Sequence, residues 1–220
     1  MEDKIRIIDF GLSDYGEILE MQRNLFATLV EKKKIGEISG KECILIGEHP
    51  SVITTGRHAD LNNILMSSAQ LMNEGIKIYN IERGGDVTFH SQGQMIAYPI
   101  IDLSRHKLGV KKYVDILEET VIRLLDEYGI EGNRVEGATG VWIGTERKIS
   151  AIGIKCSRYC TMHGLSLNVS NDLTGFSSIN PCGFKDKGVT SISNELGCPI
   201  DVEDVKRRFL HIFLGLILSF

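Results

Sequence analysis

At 220 residues the chain is long enough to bury one sizeable core, and no low-complexity or linker-like stretch divides it, so one domain covering residues 1–220 is expected. A net charge of −4 gives a whole-molecule field that favours neither nucleic acid nor an anionic membrane surface, which leaves recognition to local patches. Five cysteines are an odd number for a disulfide framework, and Met1-Glu2-Asp3-Lys4 lacks the basic-then-apolar order of a signal peptide; a cytoplasmic protein with reduced thiols is expected.

Along the chain, Asp14 and Glu17 make a capping-box-like start for a helix in which Ile18, Gln22, Leu25, Phe26 and Leu29 recur at helical spacing, ending in Glu31-Lys32-Lys33-Lys34. The apolar runs 43–47 and 52–56 are predicted strands separated by a turn at His49-Pro50. Residues 76–79 alternate, Val87 and Phe89 alternate, and 95–101 is a continuous apolar run ended by Asp102, which predicts three more strands. Val110, Tyr113, Val114, Leu117, Val121, Leu124, Leu125 and Tyr128 mark one face of a long helix stopped by Gly129. Residues 141–143 and 149–154 read as a hairpin across the polar turn 144–147, and 165–169 as a further alternating strand. The apolar segment 209–220 is shorter than the roughly 20 residues a crossing helix needs. Val202, Val205, Phe209, Ile212, Phe213 and Leu216 instead share one face of a closing helix packed on the domain, with no membrane contact expected. Helices around a mostly antiparallel sheet define an α+β class.

Cys182, in Ser178-Ile179-Asn180-Pro181-Cys182-Gly183-Phe184, sits in a stretch too polar and broken for core. A thiol there is a candidate nucleophile if other segments generate its thiolate and hold a substrate beside it. Arg83-Gly84-Gly85-Asp86-Val87-Thr88-Phe89-His90, a glycine-hinged turn running into a strand, and Arg147-Lys148-Ile149-Ser150-Ala151-Ile152-Gly153, which sets a lysine at a strand's head, are the two that qualify. Taken alone, Cys182 reads more often as a structural thiol than as a nucleophile, and Lys148 as an ordinary hairpin-turn lysine. Cys156, Cys160 and His163 have a spacing that raises a metal, but no fourth ligand of regular spacing follows, and neither metal nor cofactor is expected.

These pieces occur in the order 83–94, 148–153, His163-Gly164-Leu165-Ser166-Leu167-Asn168 and Asn180-Pro181-Cys182-Gly183, supported by Glu48-His49-Pro50, Thr55-Gly56-Arg57, Gly140-Val141-Trp142 and Thr190-Ser191-Ile192. Over nearly its full length the chain resembles the octanoyltransferase, or lipoyl(octanoyl) transferase, family of lipoate biosynthesis. One departure is visible: the family usually reads His-Gly-Pro-Gly-Gln where this chain has His90-Ser91-Gln92-Gly93-Gln94, which predicts a reshaped turn.

The resemblance implies a catalytic domain of biotin/lipoate protein ligase-like fold. It implies transfer of an octanoyl (or lipoyl) group from octanoyl-acyl carrier protein to a lysine of lipoyl domains of 2-oxoacid dehydrogenases or of the glycine cleavage H protein, by a monomeric enzyme. Cys182 would be the acyl-thioester nucleophile and Lys148 the cation that lowers its pKa and a candidate proton acceptor. Arg83, Gly84, Gly85, Asp86, Val87, Thr88, Phe89, His90, Ala151, Ile152, Gly153, Gly164, Leu165 and Ser166 would line an apolar acyl slot, with backbone N–H groups available to a developing oxyanion. His90 and His163 are assigned structural or binding roles. Because acyl carrier proteins and lipoyl domains are typically acidic, a basic patch at the slot's mouth is expected from Arg57, Arg105, Lys107, Lys111, Lys112, Arg158, Lys185 and Lys187. The alternatives are an ATP-dependent lipoate-protein ligase of the same superfamily, which needs no nucleophilic thiol, and an inert acyl-protein binding module; Cys182 argues against the first, and Cys182 with Lys148 against the second.

Overall fold

The computed structural model describes residues 5–37, 41–180 and 187–219. Their architecture is α+β, and most strand pairings are antiparallel. The large sheet runs β1 (Arg6–Leu12), β2 (Cys43–Glu48), β6 (Gln94–Ile100), β10 (Cys160–Asn168), β9 (Arg147–Ser157), β8 (Ala138–Ile143) and β7 (Gly132–Val135). A three-stranded sheet holds β4 (Lys77–Asn80), β3 (Val52–Thr55) and β5 (Val87–His90). The predicted strands 43–47 and 52–56 are therefore consecutive but belong to different sheets, because the buried His49 turns the chain out of the first.

Two layers cover the large sheet. On one face α3 (Val110–Asp126) and α5 (Val202–Ile217) set Tyr113, Leu117, Val121, Leu124, Phe209 and Phe213 against Leu165, Leu167 and Ile149. Phe213 is fully buried and stacks on Phe209 at 5.7 Å, as expected for a helix that closes a core. Among the described residues no helix is long and apolar enough to cross a membrane. On the other face α1 (Tyr15–Lys34) packs Ile18, Phe26 and Leu29 against Leu45, Ile96 and Met162. Its start is fixed by Asp14, whose carboxylate accepts the Gly16 N–H at 2.8 Å. β10 is buried at every position, so the alternation read at 165–169 is between the α3–α5 core, which takes Leu165, Leu167 and Val169, and the cleft side, where Ser166 and Asn168 lie, and not between core and water.

Several elements escaped the periodicity. β1 and β7 are edge strands with few buried residues, and α2 (Ser68–Asn73) is too short for an apolar stripe. It is opened by a capping box of Ser67 with Gln70. β11 (Gly188–Val189) pairs in parallel with Arg147 and Lys148, taking the side of β9 that β10 occupies from Ser150 onward.

Candidate active site

The 83–86 turn leaves β3's neighbourhood and docks on the middle of β9, where the Gly84 N–H donates to the Ile154 carbonyl at 2.9 Å. Glycine is required at this contact: a Cβ on Gly153 would lie 2.8 Å from the Gly84 carbonyl, and Gly85 has φ of +88°. Between the turn, β5 and β9–β10 opens a cleft. Arg83, Gly85, Asp86, Val87, Thr88 and His90 form one wall; Ala151, Ile152 and Gly153 with Gly164, Leu165 and Ser166 form the other. Two residues of the expected lining set are not in the lining. Gly84 is turned to β9 by its hydrogen bond, and Phe89, on the opposite side of β5 from Thr88 and His90, meets Phe176 edge-on at 5.7 Å in the small sheet's own core. Tyr15, Tyr98 and His163 complete the lining. Neither tyrosine carries a local signal: one opens a helix, the other sits in an apolar run, and only the packing of α1 and β6 brings them here.

Although many lining residues carry polar groups, most of those groups are tied back. The buried Arg83 guanidinium donates to the Thr54 carbonyl at 2.7 Å and to the Gly84 carbonyl at 3.0 Å. Asp86 accepts from the Asp60 N–H and the Asn63 side-chain amide at 3.0 and 2.6 Å. His90 Nδ1 donates to Gln94 Oε1 at 2.7 Å, while Gln94 Nε2 donates to Asn168 Oδ1 at 2.8 Å. His49 Nδ1 donates to the Ser13 carbonyl at 2.8 Å, and its Nε2 accepts from the Tyr98 hydroxyl at 3.1 Å. Burial pushes the imidazoles down, His49 to about 4 and both His90 and His163 to about 3, and pushes the Tyr15 and Tyr98 phenols up. The rings are thus neutral at pH 7, and the polar side chains of Arg83, Asp86, His90 and Tyr98 are engaged by protein partners instead of being left open to the slot. His163 is the exception. It is 1 % exposed at a left-handed φ of +57°, and neither ring nitrogen has a hydrogen-bond partner among the described residues.

The departure at Ser91-Gln92 is accommodated in a closed turn. The Gln94 N–H donates to the Ser91 carbonyl at 3.1 Å, and Gly93, at φ +87°, donates to Glu48 Oε2 at 2.6 Å. A Cβ on Gly93 would stand 2.6 Å from the Asn171 nitrogen, so the third position of the turn, which remains glycine, is the one the fold requires.

A second, smaller cavity shares Thr88, Ala151 and Ser166 with the cleft's lining, and Lys148 lines its wall beside Phe176 and Val189. Lys148 is 6 % exposed; its ammonium donates to the Thr139 carbonyl at 3.2 Å and lies 4.6 Å from the Trp142 ring centroid. Cys182 lies outside the described residues. Before it, the Asn180 N–H donates to the Asn63 carbonyl at 2.8 Å; after it, Val189 pairs with Lys148 and the Thr190 N–H donates to the Lys148 carbonyl at 3.0 Å.

The described cysteines have other surroundings. Cys43 and Cys160 are buried, each pushed up to about 11 by burial, and Cys156 is shifted the same way. Cys160 packs on the α1 side of the sheet and Cys156 on the α3–α5 side. Among the described residues no three His, Cys, Asp or Glu side chains are grouped to hold a metal ion. The expected basic patch is not one patch. Arg158 stands at the end of β9 remote from Lys148, roughly 30 Å along the strand at about 3.3 Å per residue. The Leu103 N–H bonds the Tyr159 carbonyl, which gathers Arg105 and Lys107 at that same end, while Lys187 is at the Lys148 end and Lys185 lies outside the described residues.

With this geometry in place, the comparisons are specific. Residues 14–214 match the family model described as the lipoyl protein ligase A/B catalytic domain, and the chain belongs to that family. Within it, the chain is 47% identical to an octanoyltransferase of Bacteroides fragilis over 96% of this chain and 97% of the relative, and 44% identical to one of Parabacteroides distasonis over 96% and 98%. In fold it is similar to a lipoate-protein ligase A crystallised with ATP, with a TM-score of 0.73 at 13% identity, covering 100% of this chain and 86% of the ligase.

Proposed function

We propose that the chain is an octanoyltransferase of protein lipoylation in which Cys182 carries the acyl group and the cleft holds its hydrocarbon tail. The observation that supports this most is that the motif segments 83–90, 151–153 and 164–166 meet around one cleft, and that Thr88, Ala151 and Ser166 of its lining also line the smaller cavity that holds Lys148. Six methylenes buried at about 0.8 kcal/mol each supply roughly 5 kcal/mol of binding, which suits a slot whose polar side chains are largely engaged by protein partners. In the first step the Cys182 thiolate attacks the thioester carbonyl of octanoyl-acyl carrier protein; the new C–S bond forms as the pantetheine thiolate leaves. In the second, a lysine amine of a lipoyl domain attacks the acyl-enzyme, the C–N bond forms, the Cys182 thiolate leaves and one amine proton passes to a base. Thioester exchange is nearly even and amide formation runs downhill, so no nucleotide is consumed.

An unassisted thiol with a pKa near 8.5 is only about 3% ionised at neutral pH. Lys148 supplies the cation, each unit of pKa lowering being worth about 1.4 kcal/mol, and in its neutral form accepts the proton of the second step. The enzyme works as a single-domain monomer in the cytoplasm, with acyl carrier protein as donor and lipoyl domains of 2-oxoacid dehydrogenases or H protein as acceptors. An ATP-dependent ligase has the same fold, so the test is energetic: purified protein, octanoyl-acyl carrier protein and a lipoyl domain should yield octanoyl-lysine with no nucleotide added. Product only from free octanoate and ATP would assign the ligase reaction instead.

A further inference from the structure

Trp142 is the chain's one tryptophan and is 1 % exposed, opposite Lys148 in the β8–β9 register. Its Nε1–H donates to the Ala138 carbonyl at 2.8 Å, which fixes the ring plane. Two ammonium groups lie on this indole: Lys148 Nζ at 4.6 Å and Lys187 Nζ at 5.0 Å from the ring centroid. Lys148 heads β9 beside the acyl slot, and Lys187 is the first described residue after positions 181–186 and donates to the Thr145 carbonyl. Two like charges close together repel in a dry site, and the negative face of an indole offsets that repulsion. A lysine side chain has four rotatable bonds, so burial of its stem alone does not fix where its charge stands.

We propose that Trp142 is a positioning residue for acyl transfer: its indole holds the Lys148 ammonium in one place at the head of β9 and binds the Lys187 ammonium on the same ring. The proposal rests on the reading of Lys148 as the group that sets the Cys182 thiolate. Its test is the pH profile of Cys182 alkylation by iodoacetamide in the folded enzyme, on a background in which Cys43, Cys156, Cys160 and Cys198 are protected or counted by peptide mapping. Trp142→Leu should move the profile to higher pH and slow alkylation at pH 7 about three- to thirtyfold, the span of a buried cation–π contact. Trp142→Phe, which keeps a ring face, should recover part of the loss. Lys148→Met should shift the profile at least as far, and adding Trp142→Leu to it should change nothing more. A wild-type profile in folded Trp142→Leu, beside a shifted one in Lys148→Met, overturns the proposal while leaving the role of Lys148 intact. An unshifted Lys148→Met overturns both. Should Trp142→Leu not fold, the unsubstituted ring answers: tryptophan emission should change with Lys148→Met and again with Lys187→Met, and emission indifferent to both overturns the contact.

Discussion

Gly153 shows how tightly the slot is drawn at the scale of single residues. A methyl group there meets the Gly84 carbonyl at 2.8 Å and Arg83 Cδ at 3.0 Å, and since one of these is backbone the 83–86 turn must move off β9. Gly153→Ala should cost about 1–3 kcal/mol of stability and raise KM for the octanoyl donor more than it lowers kcat, measured by denaturant melts and steady-state transfer. A KM equal to wild type would mean the turn is not part of the acyl wall. Lys148→Ala makes the complementary prediction on rate: the domain folds, and Cys182 alkylation needs higher pH. A normal profile in that folded variant would assign thiolate stabilisation to another group. Much of the lining was legible because it is carried by contiguous motifs, Arg83 to His90 and Ala151 to Gly153 among them. Tyr15 and Tyr98 were not, since what makes them site residues is that α1 and β6 deliver them to a turn some seventy and fifteen positions away in sequence. Phe89 was misplaced for a simpler reason: in a strand, membership of a motif does not override the alternation of faces.

At the scale of elements, the site depends on how α3 grips the β7–β8 hairpin that presents Trp142 and the Thr139 carbonyl. Glu118, buried on α3, accepts the Gly140 N–H at 3.0 Å and the Arg134 Nε–H at 3.1 Å. Gly140 is at φ +121°, and a Cβ there would stand 2.4 Å from the Ser150 carbonyl, so the hairpin has no alternative seating. Glu118→Ala leaves a buried N–H and a guanidinium without this acceptor, a loss of about 1–3 kcal/mol in chemical denaturation, with Glu118→Gln losing less. Identical stability for both variants and wild type would contradict that role. α3 and α5 could be read from the sequence because each has a 3.6-residue apolar stripe against one core. The sheet's edges could not: β1 and β7 bury little, and β11 has two residues and is defined only by its partner Lys148. At Ser91-Gln92 the geometric demand of the turn falls on Gly93, which stands at positive φ against Asn171.

For the whole molecule, three buried imidazoles set a pH dependence. His49, His90 and His163 are held near 4, 3 and 3, below the usual histidine value, so the unfolded chain binds protons that the fold excludes. Their contribution to stability is complete above about pH 6.5 and is lost as pH falls toward 4. His106, raised by its hydrogen bond with Glu42, acts in the opposite sense. Thermal melts should therefore show Tm falling steadily from pH 7 to 4.5, with a shallower slope in His163→Gln; a flat profile would mean that these rings are hydrated in the folded state. The central claim, that Cys182 carries the acyl group, is tested most directly by intact mass after incubation with octanoyl-acyl carrier protein, followed by peptide mapping. The wild-type protein should gain one octanoyl group, removable by hydroxylamine and mapped to Cys182, and Cys182→Ser should gain none. An adduct on Cys156 or Cys160, or one that persists in Cys182→Ser, would contradict it.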